Sequence, residues 1–180
     1  MAVLTLDLGW TCGWATWRRG DAVASGTERF GQAGEDGVRL LAFRQFLTAT
    51  RKEIIDAGET LDNVAYERVD FIAKKNGVNA AHVWGALWGN LESWCAFYRI
   101  PLLGLPVSTV KKHVTGHGSA AKQLVTQRVQ QLYPHVVEHN EADAVAVLIT
   151  AKNKHPYQPE AFPRAAQEGA VERRGHRAHR

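Results

Sequence analysis

The chain opens on an apolar run, Ala2 to Leu8 (AVLTLDL), interrupted only by Thr5 and Asp7, and a second run, Cys12 to Trp17, follows a turn that contains Gly9. Both lengths suit strands, and the polar alternation from Asp21 to Phe30 continues them, which predicts an antiparallel meander. Gly31 to Gly37 reads as a loop. Val38, Leu41, Phe43, Phe46, Leu47, Ile54 and Ile55 then recur near helical spacing, with Gly58 as a stop. A short strand, NVAYERV (63–69), precedes a helix of about five turns over 79–98. Its apolar stripe is Ala80, Trp84, Leu87, Trp88, Leu91, Trp94, Cys95 and Tyr98. IPLLGLP (100–106) predicts another buried strand. Three helices follow: 107–114, ending near Gly116; 119–133, with Ser119 at its start; and 141–153.

Strands alternating with helices after a meander predict an α/β fold: a five-stranded mixed sheet, three antiparallel strands then two parallel ones, with helices on both faces. The pattern covers 1–153 as one domain. From Lys154 to Arg180 the composition turns to Pro, Ala, Gly, Arg and His without periodicity, which predicts a basic, disordered tail. A length of 180 residues with 45% hydrophobic content suits one domain with a sizeable core. No stretch is apolar enough to span a bilayer and no secretory signal opens the chain, so a cytoplasmic protein without membrane contact is expected. Cys12 and Cys95 lack metal-ligand spacing and read as small core residues.

Charge adds one asymmetry. The segment 164–180 holds five arginines against two glutamates and so supplies +3 of the net +4. Within the domain, however, Ser93 to Val137 contains no Asp or Glu while carrying Arg99, Lys111, Lys112, Lys122 and Arg128. One positive face of that kind attracts a polyanion, more weakly as salt rises.

The candidate chemistry is carboxylate chemistry. Asp7 is the sharpest signal, because an ionised group in an apolar strand is costly unless paired or metal-bound. Glu67 ends the fourth strand, and Glu141 and Asp143 open the last helix. Taken singly, Glu67 is commonest as a solvent-facing strand end, and the helix acids as first-turn groups favoured by the dipole. Taken together, strands about 4.8 Å apart and a helix N-terminus bring such groups within a few ångströms. There, unpaired carboxylates raise one another's pKa. A divalent cation resolves the conflict, and Mg²⁺ favours oxygen ligands while keeping waters for phosphate to replace. A pair of such ions about 4 Å apart serves phosphodiester hydrolysis.

Four stretches then become recognisable: LDLGWTCGWA (6–15), VAYERVDF (64–71), PVSTVKKHVTGHGSAAKQLV (106–125) and EADAVAVLI (141–149). In order and spacing they resemble the RuvC family of Holliday junction resolvases, within the RNase H-like superfamily, over roughly residues 2–152. VTGHGSAAK (114–122) is the most specific stretch. The resemblance implies a homodimer that binds four-way or otherwise branched DNA and makes paired, Mg²⁺-dependent nicks, with Mn²⁺ able to substitute. It implies Asp7, Glu67 and Asp143 as metal ligands, Asp7 bridging two ions, and Lys111 and Lys122 near the DNA backbone or scissile phosphate. Two departures stand out. The family's fourth ligand, Asp or His three residues before the final Asp, is here Asn140, so Glu141 is assigned the place, with Asn140 and His139 as alternatives. The family's junction-wedging aromatic after its Glu corresponds to Phe71, which follows Asp70.

The basic segment has physical roles of its own. Gly116 and Gly118 let backbone approach a phosphate, Ser119 and the following helix N-terminus offer donors to it, and Lys122 falls one turn into that helix. Lys111 and Lys112 suit DNA contact or a solvated helix face. Trp84, Trp88 and Trp94 beside Gly85 and Gly89 suit either core or a helix-to-helix dimer contact, and Trp10 either stacking on nucleic acid or packing. Two rivals remain: an ATP-binding protein of the actin and sugar-kinase class, whose first phosphate loop DLGWTCG also matches, and a non-catalytic junction-binding protein.

Overall fold

The computed structural model describes residues 1–32, 35–69 and 77–153. Along the chain run β1 (Ala2–Asp7), β2 (Cys12–Trp17), a short 3-10 turn (Arg19–Asp21), β3 (Val23–Glu28), α1 (Asp36–Asp56), β4 (Leu61–Arg68), α2 (Gly77–Tyr98), β5 (Leu102–Pro106), α3 (Val107–Thr115), α4 (Lys122–Leu132) and α5 (His139–Asn153). The sheet order is β3-β2-β1-β4-β5, with β1 at its centre. The β1–β2 and β2–β3 pairs are antiparallel, and β4 and β5 add parallel neighbours. That is the expected five-stranded mixed sheet. Among the described residues no helix is long and apolar enough to cross a membrane. The expected tail, 154–180, and Phe71 lie outside the described residues.

Strand alternation divides the core in two. Leu4 and Leu6 of β1 and Val64 and Tyr66 of β4 join Phe43 and Leu47 of α1 and Leu87, Leu91 and Trp94 of α2 on one side of the sheet. Val3, Ala15, Ala65 and Leu105 turn to the opposite side, where Val110, Val125, Val129, Val145 and Leu148 of α3, α4 and α5 cover them. Side chains two apart share a face. Asp7 therefore follows Val3 and Thr5 toward α5, and Glu67 follows Ala65.

The centre of the second layer is α5, buried on almost every side from Glu141 to Ala151. It meets the sheet without a spacer. A methyl added at Gly13 of β2 would stand 1.8 Å from the Asn140 carbonyl oxygen and 2.4 Å from its carbon. Only a residue without a side chain lets the start of α5 rest there. Next along the helix, the Thr5 hydroxyl donates to the Ala144 carbonyl at 2.8 Å. These two contacts fix where Asp143 comes down on the sheet.

Several boundaries differ from the sequence pattern. Helix α4 starts at Lys122, with Ala121 extended before it, so Ser119 sits in the preceding loop and Lys122 is the first helical residue rather than one turn in. Helix α5 starts at His139, which puts Asp143 in its second turn. The buried stripe of α1 is Arg39, Phe43, Leu47, Thr50 and Ile54, whereas Val38, Leu41 and Ile55 are exposed. Arg39 belongs to that stripe because its guanidinium is fully used: it donates to the Phe30 and Gln32 carbonyls, pairs with Asp36 and lies 4.1 Å over the Trp10 ring. Trp10 is partly buried, packed against the core and under the Arg39 guanidinium. In α2, Trp94 is core and donates its indole N–H to Thr48 Oγ1 at 3.1 Å, while Trp84 and Trp88 stack at 5.7 Å, partly buried.

Gly13→Ala is expected to cost about 1–3 kcal/mol or more through overpacking against α5. Gly37→Ala, whose added methyl meets nothing within 4 Å, should stay within about 0.5 kcal/mol of the parent. Urea unfolding of the two variants checks the contrast.

Candidate metal and nucleic-acid site

The carboxyl ends of parallel strands are where α/β folds collect ligands. Here β1 ends on Asp7 and β4 on Glu67 and Arg68. The register pairs Leu6 with Tyr66, which sets Asp7 beside Glu67 on the face that α5 covers. Asp143 descends from α5 onto the same place. Asp7 feels both other carboxylates, and Glu67 feels Asp143. Burial pushes the Asp7 carboxyl up to about 8, reinforced by the charges of Glu67 and Asp143 and opposed by Lys122. Glu67 is pushed up to about 7 by burial and by Asp143, against the pull of Lys122 and Lys111. The structure thus brings together Asp7, Glu67 and Asp143, which lie far apart in the chain.

One cation answers them. The Lys122 ammonium stands 2.6 Å from an Asp143 carboxylate oxygen and donates to Asn140 Oδ1 at 3.5 Å. Burial draws its pKa down, but the bond to Asp143 and the fields of Asp143, Asp7 and Glu67 outweigh that and raise it. Among the described residues no group of three or more His, Cys, Asp or Glu side chains is drawn in to metal-ligating distance. The positive charge at the cluster is the lysine's.

Glu141 does not join the cluster. Its Oε1 accepts from Ser25 Oγ at 2.8 Å and its Oε2 from the Val137 N–H at 3.4 Å, tying β3 and the α4–α5 loop together. Helical geometry explains the correction: residues two apart diverge by roughly 200°, whereas residues three apart share a face. Asn140 is the neighbour that shares Asp143's face. His139 is turned instead to Thr126, 3.0 Å from its hydroxyl.

The basic segment surrounds this end of the sheet. Lys111 donates to the Ala120 carbonyl at 2.8 Å and so ties α3 to the loop before α4. Lys112 is exposed. Gly116 caps α3 in the left-handed conformation with φ 84°, which a side chain would strain. Gly118 lies against α3, where an added methyl would come 3.1 Å from the Ser108 carbonyl oxygen. Ser119 is exposed in the loop between them, three residues short of the helix it was expected to cap. Among the described residues, a cavity of about 510 Å³ lies between the β2–β3 hairpin and α1, one of about 550 Å³ between α2 and β5, and one of about 380 Å³ against α3 and α4, beside His113, Thr115 and Arg128. A lysine-rimmed strand end floored by carboxylates suits an anion brought in with a cation.

The fold has counterparts among known proteins. No family model matches the chain. The crossover junction endodeoxyribonuclease RuvC of Rickettsia typhi is 29% identical over 159 residues, covering 84% of this chain and 96% of that protein. The chain is similar to RuvC over most of its length. Thermus thermophilus RuvC in complex with a Holliday junction substrate has the same fold, with a TM-score of 0.66 at 19% identity over 83% of this chain and 92% of that one. The yeast mitochondrial Holliday junction resolvase matches more distantly, with a TM-score of 0.51 at 12% identity, covering 82% of this chain and 77% of that one. Similarity to RuvC agrees with the five-stranded mixed sheet and with the four stretches that carried the resemblance.

Asp7→Asn tests the electrostatic reading without any ligand. The folded chain holds the Asp7 proton to about pH 8, while the unfolded chain releases it near 3.8. A raised carboxyl pKa means the folded state binds more protons, so stability is lost progressively as pH rises between those values. The metal-free Asn variant is therefore expected to melt above the parent, with a gap that widens from pH 5 to pH 8. The gain at pH 8 should be at least ~1 kcal/mol, about 2–4 °C for a domain of this size. A gap independent of pH, measured by thermal melts in EDTA, contradicts the reading.

Proposed function

We propose that the protein is a divalent-metal-dependent endonuclease that resolves four-way or branched DNA junctions as a homodimer. The observation that carries the reading is the meeting of Asp7, Glu67 and Asp143 at the carboxyl ends of β1 and β4, with Lys122 against them. The RuvC relationship supplies the substrate class, since relatives bear the names of crossover junction and Holliday junction enzymes.

The donor set fits the metal that this reading needs. Asp7, Glu67 and Asp143 offer only oxygens, the ligands of Mg²⁺ and Mn²⁺, and the burial and mutual repulsion that raise Asp7 and Glu67 are what a divalent cation offsets. When bound, Mg²⁺ neutralises the scissile phosphate and makes water a competent nucleophile. The chain's own residues do the remainder. Asp7, from the central strand, and Glu67 beside it form a rigid floor, because both sit on a sheet buried on two sides. Asp143 closes the set from α5, and Asn140 adds a neutral carbonyl on the same helix face where Glu141 does not reach. Lys122 and Lys111 bring positive charge to the place where a phosphate approaches, and Lys112, Gly116, Gly118 and Ser119 extend that rim along the DNA backbone.

Incubation with a synthetic four-way junction in Mg²⁺ is expected to give symmetric nicks that EDTA abolishes, while linear duplex survives. Asp7→Asn and Glu67→Gln should each reduce cleavage by at least ~100-fold while leaving junction binding, followed by gel shift, within a few-fold of the parent. Glu141→Gln should cut like the parent, because its carboxylate serves Ser25 and Val137. Equal cutting of linear duplex points to a general nuclease, and junction binding with no cleavage by the parent in Mg²⁺ or Mn²⁺ points to the non-catalytic binder.

A further inference from the structure

We propose that Lys122 is the built-in counter-ion of this site, holding the place of a divalent cation against Asp143 and Asn140, so that cation binding and the Lys122–Asp143 ion pair exclude one another. The inference rests on the metal-site reading above and concerns what this chain does before any metal arrives.

The geometry points one way. The two members of the pair are unequal: the Asp143 side chain is 14% exposed and set on the buried helix α5, whereas the Lys122 side chain is 46% exposed and starts from the first residue of α4. One partner is fixed and the other is free to leave. Departure needs only rotation about the lysine's own bonds, with no movement of backbone. The ammonium contacts two oxygen donors that share a helix face, Asp143 at 2.6 Å and Asn140 Oδ1 at 3.5 Å, and its field also acts on Asp7 and Glu67. Those are the oxygens a hard cation takes. Lys111, by contrast, donates to the Ala120 carbonyl at 2.8 Å and reaches the cluster only through its field on Glu67.

Two consequences follow from mutual exclusion. Without metal, Lys122 offsets part of the repulsion that gathering three carboxylates creates, so the chain folds with its acids assembled. With metal, the displaced ammonium regains rotamer freedom and remains one side chain's length away, on the side from which a phosphate comes. The same displacement lowers the apparent affinity for metal, because each cation bound breaks an ion pair to a largely buried carboxylate.

The test uses the full chain without DNA, with Mn²⁺ as the probe, followed by calorimetric titration and by melting temperature. Lys122→Met removes the charge and keeps the length of the stem. It is expected to lower the melting temperature of the metal-free protein, to bind Mn²⁺ about 3–10-fold more tightly than the parent, and to gain more thermal stability from saturating Mn²⁺. Lys122→Arg, which keeps the charge, should stay near the parent, and Lys122→Gln replaces the Met variant if that variant fails to fold. Unchanged or weaker Mn²⁺ binding by the neutral variants, with parent binding intact and lost in Asp7→Asn, overturns the counter-ion role alone. No Mn²⁺ binding by the parent, or equal binding by Asp7→Asn, overturns the metal-site reading and this inference with it.

Discussion

Like-charge repulsion in a place that water barely reaches is the constraint on which this structure turns. Burial first, and then the neighbouring carboxylates, raise the proton affinities of Asp7 and Glu67, so holding these acids together costs the fold free energy. What holds them is the sheet. A side chain at the end of the central strand cannot turn away without breaking the ladders on both its sides, and its parallel neighbour β4 is locked to it residue by residue. The third acid is delivered by α5, a helix buried almost all round, whose approach depends on the missing side chain at Gly13 and on the Thr5 hydroxyl bonded to Ala144. Hydrophobic burial on two faces thus supplies the free energy that an unfavourable charge arrangement consumes.

Such an arrangement is unfavourable for the fold and useful for chemistry. A site whose carboxylates are pre-assembled needs no reorganisation when a cation and a phosphate arrive, which is where electrostatic catalysis gains most. The partial remedy in the free protein is a single lysine, held loosely enough to go. Glu141 illustrates the opposite choice: a carboxylate two residues earlier on the same helix, but spent on Ser25 and the Val137 N–H, where it braces β3 against the loop before α5.

Much of this was legible in the sequence, and the parts that were not share a cause. Strand periodicity placed Asp7 and Glu67 on the fold, because alternation by two is strict and both stretches are short and apolar. The five-stranded mixed sheet follows from the order of elements for the same reason. Helix phase was less legible. The sequence offers Glu141, with Asn140 and His139 as alternatives, for the fourth ligand, yet one residue of helical rotation, about 100°, decides which side chain faces the sheet. Ser119 looked like a helix start, but Lys122 takes that position after an extended Ala121. The apolar stripe of α1 was misplaced because Arg39 counts as polar in any pattern, although in space its charge is satisfied by Asp36, two carbonyls and an indole ring. Gly13 gave no signal at all, since a close approach between elements 127 residues apart leaves no local trace.

The most direct measurement of the central claim is a crystal structure of the protein grown with Mn²⁺, with the ion located by its anomalous scattering. The account predicts manganese bound between Asp7, Glu67 and Asp143 at oxygen-ligand distances, with the Lys122 ammonium moved off Asp143. Manganese bound only elsewhere, with these carboxylates and the lysine left as they are, would contradict it.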